Sequence, residues 1–211
     1  MDRRTLTREE ALDTVRRYKQ VIRLRYKTEP KVIMYGSYAK GAGGVQSLWR
    51  AFVMIVYHGS DVEVINVDLA HSKMYKDFGP GFYVSVDKKQ AIHFAKYKAD
   101  RPASKTHKAI VSVFDFDERA LTDGSLRVKK FEGYSTEWVD FIHEYRHTSE
   151  TDYDLVIGPI ANDDVRTQYA RYDMGEITKE ELLESLKYKK VTYQYCFKTI
   201  AAVSFLKSTD K

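Results

Sequence analysis

One cysteine, Cys196, stands in a chain of 211 residues, so no intramolecular disulfide framework can staple the fold. No apolar run approaches the ~20 residues that a membrane-spanning helix needs, and no membrane partner is expected. The N-terminus, MDRRTLTREE, lacks the apolar core of a signal peptide. A reducing cytoplasm is the expected setting. Acidic residues are missing where one early motif would need them, since Ala42 to Val56 holds no Asp or Glu. What is present is an ordinary globular composition, 43% hydrophobic and 31% charged, long enough for one domain with a core and a small appendage.

The formal charge of +5 raises the question of a nucleic-acid partner, and its distribution answers in part. Residues 1–50 hold 12 Lys/Arg against 5 Asp/Glu, whereas residues 51–211 hold 23 against 25. The basicity belongs to the N-terminal segment, where it reads as a solvated helix face. Thr7-Arg8-Glu9-Glu10 fits a capping box, and Leu12, Val15, Tyr18, Ile22 and Tyr26 continue as a helical stripe. Val32 to Tyr35 reads as a short strand running into Gly36-Ser37-Tyr38-Ala39-Lys40-Gly41. Helix, strand and GSYAKG resemble the opening of a minimal nucleotidyltransferase, in which a Gly-Ser turn holds triphosphate and a following acidic pair holds magnesium. Without those carboxylates there is no hard-cation site of that kind. Residues 1–45 are therefore set apart as a truncated start of such a fold, with a nucleotide-binding or pairing role as one reading, and residues 46–211 as the main domain.

The main domain opens with an apolar stretch, Phe52 to Val56, that breaks at Tyr57-His58-Gly59-Ser60. A polar connection, Asp61 to Tyr75, is expected to curl over a cleft. Gly79-Pro80-Gly81 then lets the chain bend tightly before Phe82-Tyr83-Val84 extends. Asp87-Lys88-Lys89-Gln90 is a capping-box pattern that starts a helix to about Lys98 with Ala91, Ile92 and Ala95 inward. Ala109 to Asp117 alternates as a strand, and Leu126 to Phe131 is expected to pair beside it. Ser135 or Thr136 can cap a helix from Glu137 to about His147 carrying Trp138, Phe141, Ile142 and Tyr145 on one face. A strand at Asp154 to Pro159, a helix capped by Asn162-Asp163-Asp164, a capping box at Thr178 to Glu181 and a strand at Val191 to Phe197 follow. Ile200 to Leu206 is apolar enough to pack. Pattern alone gives α/β or α+β and leaves the sheet order open.

The pairing of His58-Gly59 with Gly79-Pro80-Gly81-Phe82-Tyr83, and of both with Gln194 in TYQYCF, resembles the ADP-ribosyltransferases of the diphtheria-toxin and poly(ADP-ribose) polymerase branch. Those enzymes read nicotinamide adenine dinucleotide (NAD) with a His-Gly, a Gly-x-Gly-aromatic-Tyr and a late residue that is often Glu. The likeness is closer still to a bacterial family of unknown function grouped with them, through YHGS, DFGPGFYVS, EWVDFIHEYR, YDLVIGPIANDD and QYCFKT, from about Tyr57 to Lys207.

That resemblance implies an α+β fold on a split, mainly antiparallel sheet with NAD as substrate in the cleft. It implies His58, Tyr83 and Gln194 as catalytic residues, and His58, Gly59, Ser60, Gly81, Phe82, Tyr83 and Gln194 as the NAD-binding set. His58 would bond the adenine-side ribose, the Gly59 backbone would clamp the nicotinamide amide, and the Tyr83 ring would stack on nicotinamide. The activity implied is transfer of one ADP-ribose to a macromolecular acceptor with release of nicotinamide, in a bacterial toxin or effector that could have a cognate antitoxin. Gln194 keeps a hydrogen bond and loses the charge of the usual Glu, so NAD hydrolysis or NAD binding alone stands beside mono-transfer. Lys73, Lys76 and Ser72 lie where they could reach a diphosphate. Asp163 and Asp164 are read equally as acids near the cleft or helix caps. His143 and His147 share i, i+4 spacing but lack a third ligand, so no metal is expected. Cys196 is expected buried and inert.

Overall fold

Alternating side chains from Val53 onward build a sheet with two buried faces, and a computed structural model describes residues 53–162, 164–188 and 190–209. The strands are β1 (Val53–Ser60), β2 (Phe82–Ser85), β3 (Ile110–Asp117), β4 (Val128–Lys130), β5 (Leu155–Pro159), β6 (Tyr193–Phe197) and β7 (Leu206–Ser208). They lie in the order β4-β5-β6-β2-β1-β3-β7. Pairs β1–β2, β2–β6, β5–β6 and β3–β7 are antiparallel, while β4–β5 is parallel. With five helices against this mixed sheet, the unit Met54–Lys211 is an α+β fold.

The period-two alternation decides which core each residue joins. Val156 of β5 and Cys196 of β6 face one cluster with Phe78, Trp138, Ile142, Leu182 and Leu186. Leu155, Ile157, Tyr195 and Phe197 face the other with Val56, Phe82, Val84, Phe114 and Phe116. All five residues of β5 are buried, as expected for a strand covered on both sides.

Each helix starts where a local cap offers its first amides a partner. Asp87 accepts from Lys89 N at the head of α1 (Lys88–Ala99), and Ser135 accepts from Trp138 N at the head of α2 (Thr136–Tyr145). The face of α2 read from the sequence is the buried one: Trp138, Phe141, Ile142 and Tyr145. Thr178 and Glu181 complete a capping box on α4 (Lys179–Ser185). In α3 (Val165–Asp173), Asp164 sits at the cap position without a side-chain cap bond, because its carboxylate accepts from Gln168 Nε2 instead. Thr199 caps the short α5 (Ile200–Val203).

Three expectations differ. Leu126 to Phe131 does not pair beside β3: β4 joins β5 in parallel, and β3 takes β7 as its antiparallel neighbour. Ile92 does not pack inward but is 37% exposed, because α1 buries the Ala91, Ala95, Ala99 stripe and Ile92 lies one residue off it. Ile200 is 83% exposed at the start of α5, where Ala202 takes the inward position. The nucleotidyltransferase-like segment 1–45 and Asp163 lie outside the described residues.

β1 and β2 are neighbours in one seven-stranded sheet, and their ladder is short. β1 and β2 share one register pair, Tyr57↔Ser85, after which the ladder stops and His58, Gly59 and Ser60 lie opposite the start of β2. On its other side β2 pairs with β6 over its whole length, from Phe82↔Phe197 to Ser85↔Gln194. The ladder between β1 and β2 therefore ends where the polar residues of β1 are.

Candidate functional site

A cavity of about 680 Å3 lies beside this end of the ladder. Its walls are His58, Gly59 and Ser60 from β1, Gly81, Phe82 and Tyr83 at the start of β2, and Phe94 and Lys98 from α1. The connection from Asp61 to Lys76 and the loop from Arg101 to Lys105 complete it, so the expected curl over the cleft is present. A shallower hollow of about 460 Å3 near Ile65, Phe114 and Leu206 has Lys207 as the one charged residue in its lining.

His58 is held in one tautomer. Its Nδ1 lies 2.7 Å from the Tyr83 carbonyl, which can only accept, so Nδ1 carries the proton and neutral Nε2 remains an acceptor. The ring stacks on Phe82 at 4.4 Å between centroids. Burial pushes its pKa down to about 4, against the bond to Tyr83 that pulls the other way, so His58 is uncharged at neutral pH.

The glycines are there for approach. A Cβ on Gly59 would stand 2.1 Å from the Ala91 carbonyl oxygen of α1, and one on Gly81 would stand 2.4 Å from Cys196 Sγ. Between them Gly79 adopts φ +75°, a left-handed conformation that side chains resist.

The Tyr83 hydroxyl is fully employed: it donates to the Gly79 carbonyl at 2.6 Å and accepts from Phe78 N at 3.0 Å. Burial holds this phenol well above its ordinary range, so it serves as a fixed ring and not as a base. Lys76 Nζ lies 5.8 Å from the Tyr83 ring centroid and 4.9 Å from that of Phe94. Burial and then Lys98 push its pKa down to about 8. On the opposite rim, Asp61 accepts from Ser104 Oγ and Lys105 N and thereby pins the Arg101–Lys105 loop to the end of β1.

Gln194 is placed differently from the other six residues of the expected set: it is outside the cavity lining. It sits on β6 opposite Ser85 and Gly158, and its Nε2 donates to Asp77 Oδ2 at 2.8 Å. The same carboxylate takes Arg146 Nη1 at 3.2 Å and Ala161 N at 3.4 Å. Gln194 and Tyr83 thus meet through one loop, gripped by Gln194 at Asp77 and by Tyr83 at Phe78 and Gly79. Lys198 also donates to the Phe78 carbonyl. Sequence reasoning missed Asp77 as this hub, and nothing local marks it. It also missed Phe94 and Lys98, although their i, i+4 spacing on a capped helix puts them on one face.

Of the remaining candidates, Cys196 is buried with its thiol pushed up to about 11 by burial. His143 Nε2 pairs with Asp173 at 3.0 Å, and His147 stands edge-on to Tyr75. No three His, Cys, Asp or Glu side chains gather as a metal set among the described residues. Asp164 is committed to Gln168 and does not line the cavity.

A family model matches residues 54–208, from β1 through β7, and so covers the cavity and the Asp77 loop alike. The chain belongs to DUF3990, a family of proteins of unknown function. No curated protein and no solved structure matches it. The family match begins at Met54, the first residue of the unit Met54–Lys211.

Proposed function

We propose that this DUF3990 protein is an NAD-dependent mono-ADP-ribosyltransferase that moves ADP-ribose from NAD to a macromolecular acceptor and releases nicotinamide. The observation that carries the reading is that His58, Gly59 and Ser60 of β1 and Gly81, Phe82 and Tyr83 at the start of β2 line one cavity large enough for a dinucleotide. The order of these residues in the resembling transferases is the second support.

The reaction breaks the bond between ribose C1′ and the nicotinamide nitrogen. Its electron pair leaves with nicotinamide, which becomes neutral, and C1′ passes through an oxocarbenium-like state. The acceptor then gives C1′ an electron pair and loses a proton. Such a barrier falls chiefly through orientation of the leaving group and through fixed dipoles near the developing charge. Neutral His58 suits this, since its Nε2 can accept from a ribose hydroxyl without adding positive charge beside C1′. The Tyr83 ring, locked by its hydroxyl, would give nicotinamide a rigid stacking face. Gly59 would clamp the carboxamide through its backbone.

One observation favours a second reading, an NAD-binding module or NAD glycohydrolase without macromolecular transfer. Gln194 is uncharged and its amide is engaged with Asp77, so it adds no carboxylate at the reacting carbon. Incubation of the full chain with NAD labelled on the adenylate phosphate and separated cell fractions decides between the two. Label retained on protein or nucleic acid, and lost with His58→Ala or Tyr83→Ala, supports transfer. Free labelled ADP-ribose indicates hydrolysis, and intact bound NAD indicates a binding module.

A further inference from the structure

One corner of the cavity is not used by the His58–Tyr83 wall. There Lys76 comes off the connection and Lys98 off the last turn of α1, and both ammonium groups converge on one ring, Phe94, at 4.9 Å and 5.6 Å from its centroid. Lys73 lines the same corner. Among the described residues neither Lys76 nor Lys98 forms a salt bridge, although Asp77 acts on Lys76 and Asp61 on Lys98 through space.

Two ammonium groups gathered at one aromatic ring repel each other, and the ring quadrupole compensates only part of that. Burial lowers the pKa of both lysines; Lys98 and Lys73 lower that of Lys76 further against Asp77, and Lys73 and Arg101 that of Lys98 against Asp61. Of the acids that line the cavity, Asp61 is bonded to Ser104 and Lys105 and Asp68 to Ala70 N and His71, while Glu63, among the described residues, forms no salt bridge with either lysine. A half-buried pair of like charges with no carboxylate within salt-bridge distance is unfavourable, and a bound anion would offset the repulsion. Lys98 reaches Phe94 through i, i+4 spacing on α1, whereas Lys76 arrives at the same ring from the connection, which solvation of a free lysine does not explain.

We propose that the Lys76–Lys98–Phe94 corner is a subsite for a phosphoryl anion of the diphosphate class, with the two lysines as ligands and Phe94 as the apolar floor. The subsite stands on its own geometry. If the NAD reading also holds, the diphosphate of NAD is the occupant, and Lys76 would turn from the Tyr83 ring toward it.

The test is calorimetric titration of the full chain with inorganic pyrophosphate at neutral pH and low salt. Wild type is compared with Lys76→Gln, Lys98→Gln and, as a distant control, Lys179→Gln, which removes a cation paired with Asp140. One pyrophosphate per chain, with affinity lowered about tenfold or more by each cavity variant and unchanged by the control, supports the subsite. No pyrophosphate binding by wild type, or equal affinity in the double variant Lys76→Gln/Lys98→Gln, overturns it. Removing a half-buried charge should leave the fold intact, and circular dichroism of each variant checks this. Displacement of pyrophosphate by ADP-ribose but not by adenosine identifies a dinucleotide as the source and supports the subsite. Pyrophosphate bound through both lysines with no NAD binding sustains the subsite and sinks the NAD reading. NAD bound with an affinity indifferent to both lysines overturns the subsite and leaves the NAD reading standing.

Discussion

Acidification should weaken this fold through His58, and the surroundings of the ring set the size of the effect. In the unfolded chain an imidazole takes up its proton near pH 6.5, whereas in the fold burial delays this until about pH 4. The folded pKa is the lower one, so the unfolded state binds the proton first as pH falls. Stability is complete above about pH 6.5, shrinks between 6.5 and 4, and is flat with respect to His58 below that. Integrating between pH 7 and pH 4.5 gives a loss of about 2 kcal/mol from this one group. His58→Gln keeps a side-chain N–H for the Tyr83 carbonyl and cannot titrate. Urea unfolding of both proteins at the two pH values isolates the term. Wild type should lose about 2 kcal/mol more than His58→Gln on acidification, with similar m values. Equal losses would show that His58 is solvated or already charged, and the neutral acceptor at Nε2 would go with it.

Tyr83→Phe deletes the hydroxyl and strands Phe78 N–H and the Gly79 carbonyl, so urea unfolding should report a loss of about 1–3 kcal/mol. Because the ring remains, NAD affinity should fall less in Tyr83→Phe than in Tyr83→Ala; the reverse order would remove the ring from the binding site. Gly59→Ala drives a methyl to within 2.1 Å of the Ala91 carbonyl and should cost about 1–3 kcal/mol or more, while Gly133→Ala, with open space around it, should change unfolding little. Gln194→Glu sets a second carboxylate against Asp77, now 2.8 Å from the amide nitrogen, and should lower stability near neutral pH. Adding Asp77→Asn should restore it, and failure to restore would mean that the two side chains do not interact.

What the sequence revealed, it revealed through local signals. Asp87, Ser135 and the Thr178 box each declare a helix start within four residues, and the structure has α1, α2 and α4 beginning there. The breaks at His58-Gly59 and Gly79-Pro80-Gly81 mark strand ends for the same reason, and they fall on either side of the cavity. Pairing partners are not local, which is why β4 was expected beside β3 when its ladder belongs to β5, and why β7 drew attention only as an apolar tail. Side-chain commitments are harder to read again. In the sequence Gln194 stands in for a catalytic acid; in the fold its amide grips the Asp77 loop, a partner 117 residues away. The cationic corner was half visible, since Lys73 and Lys76 were marked while Lys98 and Phe94 emerged only when α1 packed against β1.

The central claim is that the cavity lined by the end of β1 and the start of β2 holds NAD. Calorimetric titration of the full chain with NAD, alongside folded His58→Ala and Tyr83→Ala, tests it most directly. The account predicts one NAD per chain in wild type and a loss of about 1–3 kcal/mol of binding free energy in each variant, the scale of a lost buried hydrogen bond or stacking face. Absence of NAD binding, or an affinity untouched by both substitutions, would contradict it.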